Sequence, residues 1–249
     1  MSTLLLRLAA PFQSWGIDSK FERRNTGRSP SKSGVLGLCA AALGYKRHDD
    51  TNIGKMINLR FGVRIDKPGT LIRDFHMAHE EEFWDKEDRT KINHLLSQSK
   101  KNTISYLTNR YYLADAAFLA GLEGDETLLK EIEYAIRYPM FPIFLGRRAC
   151  PPEGRVCLGI FPDPLQVALE KYPSISGYYK PNYQKNYKPR IVIDADNNEH
   201  IKGKYLLRDV PQSYNPIHRK HGFRNVCEFD TAELKTTNDH DPIAAIEGV

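Results

Sequence analysis

Apolar and polar positions alternate along the chain with two periods, and the switches between them outline the elements. Residues 3–9 (Thr-Leu-Leu-Leu-Arg-Leu-Ala) form a short, nearly continuous apolar run, which predicts a buried strand. Pro11 and Gly16 bracket a loop holding Gln13, Ser14 and Trp15, and residues 17–32 are polar and basic, broken by Gly27 and Pro30. From Ser33 to Gly44 the apolar positions Val35, Leu36, Cys39 and Leu43 recur at helical spacing. Ser31 or Ser33 can cap this helix and Gly44 can end it. Almost no charge falls within it, so it is expected to be buried on most sides. Leu59–Ile65 and Thr70–Phe75 alternate with period two around Lys67-Pro68-Gly69, the pattern of a hairpin. Tyr111–Leu122 predicts a strand. Asp125–Tyr138 predicts an amphipathic helix with Leu128, Leu129, Ile132, Ala135 and Ile136 on one face, and Val156–Phe161 predicts another strand.

The resulting order is strand, helix, strand pair, strand, helix, strand. It suits an α+β fold, a ferredoxin-like (RRM-like) βαββαβ unit over residues 1–165. Residues 78–109 lack a core pattern and read as a long insertion, with six acids between Glu80 and Asp88 followed by a Lys/Ser/Asn-rich half. Past residue 165 the pattern weakens. Residues 191–194, 200–208 and 223–229 predict strands of a small C-terminal β-rich region spanning 166–249.

Composition narrows the function classes. A hydrophobic fraction of 41% supports a packed core, and no run reaches the length of a membrane span. The N-terminal apolar run has no basic lead or clear cleavage site, so a cytoplasmic protein without a membrane partner is expected. Cys39, Cys150, Cys157 and Cys227 form no C-x-x-C pair, and buried, inert thiols are expected rather than zinc or disulfides. No metal or other cofactor is implied. The net charge of +5 is unevenly spread. Residues 1–48 carry eight basic and two acidic residues, 170–224 carry eleven and five, and 228–249 carry one and six. Such clustering can meet a phosphate-rich partner, but charge alone favours a solvated face.

Three blocks carry a resemblance. Leu6-Arg7-Leu8-Ala9-Ala10-Pro11-Phe12-Gln13-Ser14-Trp15-Gly16 and Thr26-Gly27-Arg28-Ser29-Pro30-Ser31-Lys32-Ser33-Gly34-Val35-Leu36-Gly37-Leu38 resemble the start of the CasD family. Phe144-Leu145-Gly146-Arg147-Arg148-Ala149-Cys150-Pro151-Pro152 resembles that family's glycine-rich loop. Tyr111–Ala116 also fits. The likeness covers roughly residues 1–165, and the C-terminal third matches poorly. It implies a RAMP-superfamily fold with a thumb at about 78–109. It further implies a non-catalytic subunit of a type I-E CRISPR Cascade complex that grips the 5′ handle of the guide RNA (crRNA) and caps the backbone filament. The implied partners are the crRNA 5′ handle, the Cascade backbone subunit, the Cascade large subunit and, indirectly, target DNA.

The residue types suit that role. Backbone amides of Ser33 and Gly34 open a helix and can meet a phosphate, or they can simply belong to a cap. Arg28 and Lys32 add charge there. Gln13 and its neighbour Ser14 follow the first strand, where Gln13 can read a base edge; Trp15 stacks on a base or packs in the core. Gly146, Arg147 and Arg148 offer close backbone approach and two guanidinium forks, or a surface loop with salt bridges. Lys100 and Lys101 lie in the basic half of the insertion. A Tyr/Lys-rich run at 178–188 interleaves rings and cations. Two rivals remain: a metal-independent endoribonuclease processing precursor RNA, built from Tyr45, Lys91, His94, His76 or His79, and a purely structural protein. Walker, G-x-S-x-G and H-E-x-x-H motifs are absent from the sequence.

Overall fold

The computed structural model describes residues 2–16, 23–80, 104–175, 188–195, 204–215 and 217–231. Nine strands form one sheet: β1 (Ser2–Gln13), β2 (Arg23–Arg24), β3 (Arg60–Lys67), β4 (Thr70–Glu80), β5 (Ile104–Gly124), β6 (Cys157–Phe161), β7 (Arg190–Asp194), β8 (Tyr205–Ser213) and β9 (Lys220–Asp230). Among the described residues four helices accompany them: α1 (Lys32–Ala42), α2 (Asp50–Ile57), α3 (Glu126–Arg137) and α4 (Leu165–Lys171). The sheet runs β6-β1-β5-β3-β7-β9-β8 with antiparallel neighbours. β4 and the short β2 pair with the outer half of β5. Among the described residues no helix is long and apolar enough to cross a membrane.

The run Leu4-Leu5-Leu6 is apolar without alternation because β1 lies in the middle of a sheet covered on both faces. Leu4, Leu6 and Leu8 face α1, α2 and α3, together with Phe61, Val63, Phe118 and Ala120. Leu5 points to the other face and packs with Leu119, Ile191, Ile193 and the α4 residues Leu165 and Leu169. All four cysteines are buried, and burial pushes the Cys39 thiol up to about 12, so these thiols are packing residues.

Three departures from the sequence pattern have physical causes. β4 runs five residues past Phe75 and β5 starts seven before Tyr111, with paired residues from Thr70↔Ala114 to Glu80↔Ile104. The β4 arm of this ribbon is exposed from Arg73 to Ala78, so the ladder holds it with no burial to impose an apolar period. α2 is absent from the sequence reading because only Ile53 and Met56 of its eight residues are buried; Asp49 caps it by accepting from the Asn52 amide at 3.2 Å. α4 is seven residues long, too short for a periodic signal.

One buried polar device holds α4 in place. The Arg64 guanidinium, fully buried, forks onto Asp66 at 2.6 and 2.9 Å. It also donates to the carbonyls of Leu169, Tyr172 and Pro173. A cation thus meets the carbonyls that a helix leaves unpaired at its C-terminal end. Asp66 in turn accepts from the Ile175 amide at 2.7 Å.

Candidate nucleic-acid interface

Blocks that lie far apart in the sequence converge where β1 ends. The Ser14 amide donates to the Leu145 carbonyl at 3.1 Å, and the Gly27 amide donates to the Trp15 carbonyl at 2.6 Å. The Trp15 amide donates to Thr26 Oγ1 at 2.8 Å, and Ser14 Oγ donates to the Tyr111 carbonyl at 3.3 Å. Segments around 14, 27, 111 and 145 are therefore locked to one another.

Gln13, Ser14 and Trp15 are internal. Gln13 Nε2 donates to the carbonyls of Leu8 and Ala116, and its Oε1 accepts from Trp15 Nε1 at 3.1 Å. Trp15 is 1% exposed and lies under Gly34, where a Cβ would come within 2.9 Å of its ring. With both ends of the Gln13 amide satisfied inside and the indole covered, neither reaches a base in this conformation. Trp15 takes the core alternative, and with Gln13 it shapes the ground under the start of α1.

The N-terminus of α1 is also partly occupied from within. Ser31 caps it, accepting from the Gly34 amide at 3.2 Å. The Lys32 amide donates to Asp209 Oδ2 at 2.8 Å, so a carboxylate from β8 already takes up the anion-favouring end of the helix. Lys32 is buried, with Nζ 3.1 Å from Asp194 Oδ2. This corrects the expectation that Lys32 adds charge for a phosphate. Ser33 is buried and its carbonyl accepts from the Tyr214 hydroxyl at 2.5 Å. Arg28, by contrast, is exposed.

At the glycine-rich loop, Gly146 has φ +95, and a Cβ there would fall 1.7 Å from the Ser14 carbonyl oxygen. Glycine is needed for this close approach. Arg147 is half-buried; it donates to the carbonyls of Tyr111 (3.3 Å) and Arg24 (2.7 Å) and lies 4.7 Å over the Tyr112 ring. Its fork ties the loop to β5 and β2, while Arg148 is exposed beside it.

Residues that sequence reasoning missed complete the surface. Arg23 and Arg24 pair in parallel with Asn109 and Arg110 of β5, so two exposed arginines stand next to the loop. Arg110 Nε is buried and has no partner among the described residues. Phe12 is exposed and meets Tyr112 edge-on at 6.2 Å. Nothing in the sequence signals the β2–β5 pairing, since β2 is two residues of Arg-Arg. The exposed Arg23, Arg24, Arg28 and Arg148, carried on segments tied to one another, and the exposed Phe12 ring offer chemistry that suits phosphates and an unstacked base.

Lys100 and Lys101, and residues 178–187 of the Tyr/Lys-rich run, lie outside the described residues, as do Lys91 and His94. His76 is exposed on the projecting ribbon, whereas Tyr45 follows α1 and has its phenol pKa raised by burial and by Glu131 and Asp49.

The family model described as CRISPR-associated protein (Cas_Cas5) matches residues 3–227. The CRISPR system Cascade subunit CasD of Escherichia coli (strain K12) is 33% identical over 190 residues, covering 71% of this chain and 79% of that protein. A solved structure described as a CRISPR RNA-guided surveillance complex contains a chain that is 28% identical with a TM-score of 0.73, over 96% of each chain. Another, described as a crystal structure of a Cas protein, is 34% identical with a TM-score of 0.66, over 92% of this chain and 94% of that one. The chain belongs to the CRISPR-associated Cas5 family, with CasD of the Cascade complex among its relatives.

Proposed function

We propose that this protein is a non-catalytic, crRNA-binding subunit of a Cascade complex that grips the 5′ handle of the guide RNA and caps the backbone filament. The observation that carries the reading is the convergence of the blocks at 13–15, 26–34, 111–112 and 145–148 beneath an exposed rim of Arg23, Arg24, Arg28 and Arg148. In this reading Arg28 and Arg148 meet handle phosphates, with the Ser33 and Gly34 segment and Gly146 shaping the wall. Gln13, Ser14, Trp15, Lys32 and Arg147 hold that wall rigid, and Lys100 and Lys101 serve the guide from the insertion. A site built this way is preorganised, which keeps the ordering cost of a bent RNA end low.

The fold reading follows the same line. β1, β3, β5 and β6, with α1 and α3, make the ferredoxin-like unit, since their order β6-β1-β5-β3 is the one that two βαβ halves produce. The β4–β5 ribbon is the base of the thumb, and residues 166–249 add the C-terminal β-rich region. The backbone and large subunits of the complex are the protein partners, with target DNA reached through them.

Binding of labelled repeat RNA by the full chain tests this reading. Arg28→Ala with Arg148→Ala should weaken binding and lower the salt slope by about 1.4, two contacts at about 0.7 each for a single strand. Preference for the handle over a scrambled 5′ end should shrink. The repeat RNA should stay intact with or without divalent metal. Unchanged affinity, slope and preference would overturn the handle site, and cleavage lost on replacing Tyr45 would favour the endoribonuclease.

A further inference from the structure

The two arginines of the glycine-rich loop are placed differently. Arg148 is exposed, whereas Arg147 is half-buried and its guanidinium is engaged within the protein. Nη1 donates to the Tyr111 carbonyl of β5 at 3.3 Å, and Nη2 donates to the Arg24 carbonyl of β2 at 2.7 Å. The same group lies 4.7 Å from the centre of the Tyr112 ring, which is buried and meets Phe12 edge-on. One planar cation, seated on a ring, thus bridges two neighbouring strands. β2 needs such a tie. It is two residues long, and its ladder to β5 consists of Arg23↔Asn109 and Arg24↔Arg110. Residues two apart on a strand share a face, so Arg110 and Tyr112 lie on one side of β5, and Arg24, opposite Arg110, lies on that side too. Arg23 belongs to the other side. Among the described residues no carboxylate forms an ion pair with Arg24, Arg110 or Arg147. Like charges side by side on a sheet face repel, and an anion from outside relieves that repulsion.

We propose that Tyr112 and Arg147 are positioning residues: the stacked, forked guanidinium holds β2 against β5 and so presents Arg24 to a phosphate of the guide RNA. The inference rests on the handle reading and deepens it. Arg24 is the residue the clamp places, because the clamp closes on its own carbonyl while its side chain stays exposed. Arg147 acts through Arg24 and does not meet the phosphate itself. The arrangement calls for arginine at 147 and an aromatic ring at 112. A lysine ammonium is a point charge with no planar fork to bridge two carbonyls, and an aliphatic side chain at 112 has no π-face to seat the guanidinium.

Labelled repeat RNA titrated with the full chain across a salt series tests the arrangement. Arg24→Ala should lower the salt slope by about 0.7, one contact on a single strand. Tyr112→Leu changes no charge, yet it should lower the slope by about the same amount, because Arg24 is no longer held in place. Arg147→Lys keeps its charge and should do likewise. Tyr112→Phe keeps the ring and should match wild type. Arg24→Ala combined with Tyr112→Leu should fall no further than Arg24→Ala alone. A merely structural role for Tyr112 would move the unfolding midpoint and leave the slope of the folded protein where it was. Hydrogen exchange of the segment 23–28, followed by mass spectrometry without RNA, gives a second reading. It should quicken in Tyr112→Leu and Arg147→Lys and stay at the wild-type rate in Tyr112→Phe. If Tyr112→Leu melts early, Arg147→Lys, at a half-buried position, carries both measurements. Wild-type exchange and slope in Arg147→Lys would overturn the clamp, and a wild-type slope in Arg24→Ala would overturn the part given to Arg24. Failure of the handle reading appears elsewhere, as an unchanged handle preference in Arg28→Ala with Arg148→Ala.

Discussion

Gly146 shows how one residue can shape a surface through its backbone alone. Its φ of +95 belongs to backbone that L side chains rarely adopt, and its α-carbon sits against the Ser14 carbonyl. A methyl group there would push the 145–148 loop off β1, and with it the Arg147 fork that bridges the carbonyls of Tyr111 and Arg24. Gly146→Ala should therefore cost about 1–3 kcal/mol from backbone strain alone, with the collision adding to that. RNA binding should fall even where the variant stays folded. Urea unfolding and anisotropy on the same preparation check this, and a variant with native stability and native affinity would remove Gly146 from the argument. The importance of this glycine was legible in the sequence, but its reason was not. The same holds for Trp15 and Lys32, whose residue types suit both a nucleic-acid surface and a core. Only the meeting of Trp15 with Gly34, and of Lys32 with Asp194, decides between the two.

Among the elements, β1, α1 and α3 were readable because each buries a full face, so burial writes its period into the sequence. Elements that touch little core left no such record. The outer ladder of β4 and β5 is one case, and α4 is another, seated by a feature of its neighbours. Gly62 and Gly121 face each other across β3 and β5, and a Cβ on either would collide with Leu169 or Leu165 of α4. That notch is a property of two strands in register. The exposed ribbon leads to a prediction of its own. Leu71, Phe75 and Met77 of β4 and Leu107 of β5 are exposed and, by the pairing Leu71↔Leu113, Phe75↔Asn109 and Met77↔Leu107, share one face of the ribbon. An exposed apolar stripe of this kind is the type of surface that partners cover. Deleting 80–108 and closing the gap with a short Gly/Ser linker should leave the thermal midpoint nearly unchanged. Assembly with guide RNA and the backbone subunit should fail or become fragile in size-exclusion chromatography. Unfolding on deletion would place the segment in the core, and normal assembly would end its assignment as a thumb.

At the scale of the whole molecule, the sequence suggests a strong first unit and a weak C-terminal region, yet the sheet runs through both. β7 pairs with β3, β9 with β7, and β8 closes the edge while lying against α1 and α2. A buried charge network crosses the same boundary. Asp194 accepts from Lys32 Nζ, from Arg224 and from the Phe61 amide, and Asp209 accepts from Arg224 and the Lys32 amide. The contacts that Lys32 and Phe61 make with Asp194 and Asp209 join residues more than 130 positions apart, which is why local patterns carry no trace of them. The charges also depend on one another, because a buried cation that loses its carboxylate keeps its desolvation cost without the compensating attraction. Asp194→Ala would strand Lys32 and weaken the hold on Arg224, and should cost about 3–5 kcal/mol. The wider consequence concerns cooperativity. If the two regions share one sheet and one network, the full chain should unfold in a single transition, with far-ultraviolet circular dichroism and tryptophan fluorescence reporting the same midpoint. A fragment ending at residue 165 should not fold, since it exposes the β3 edge and leaves Lys32 buried without Asp194. Two separate transitions, or a stable 1–165 fragment, would show instead that the C-terminal strands are an independent unit docked onto the first. In that case Asp194→Ala would lower only the less stable part, and the α1 start, with the arginines beside it, would keep its geometry without the C-terminal hairpin.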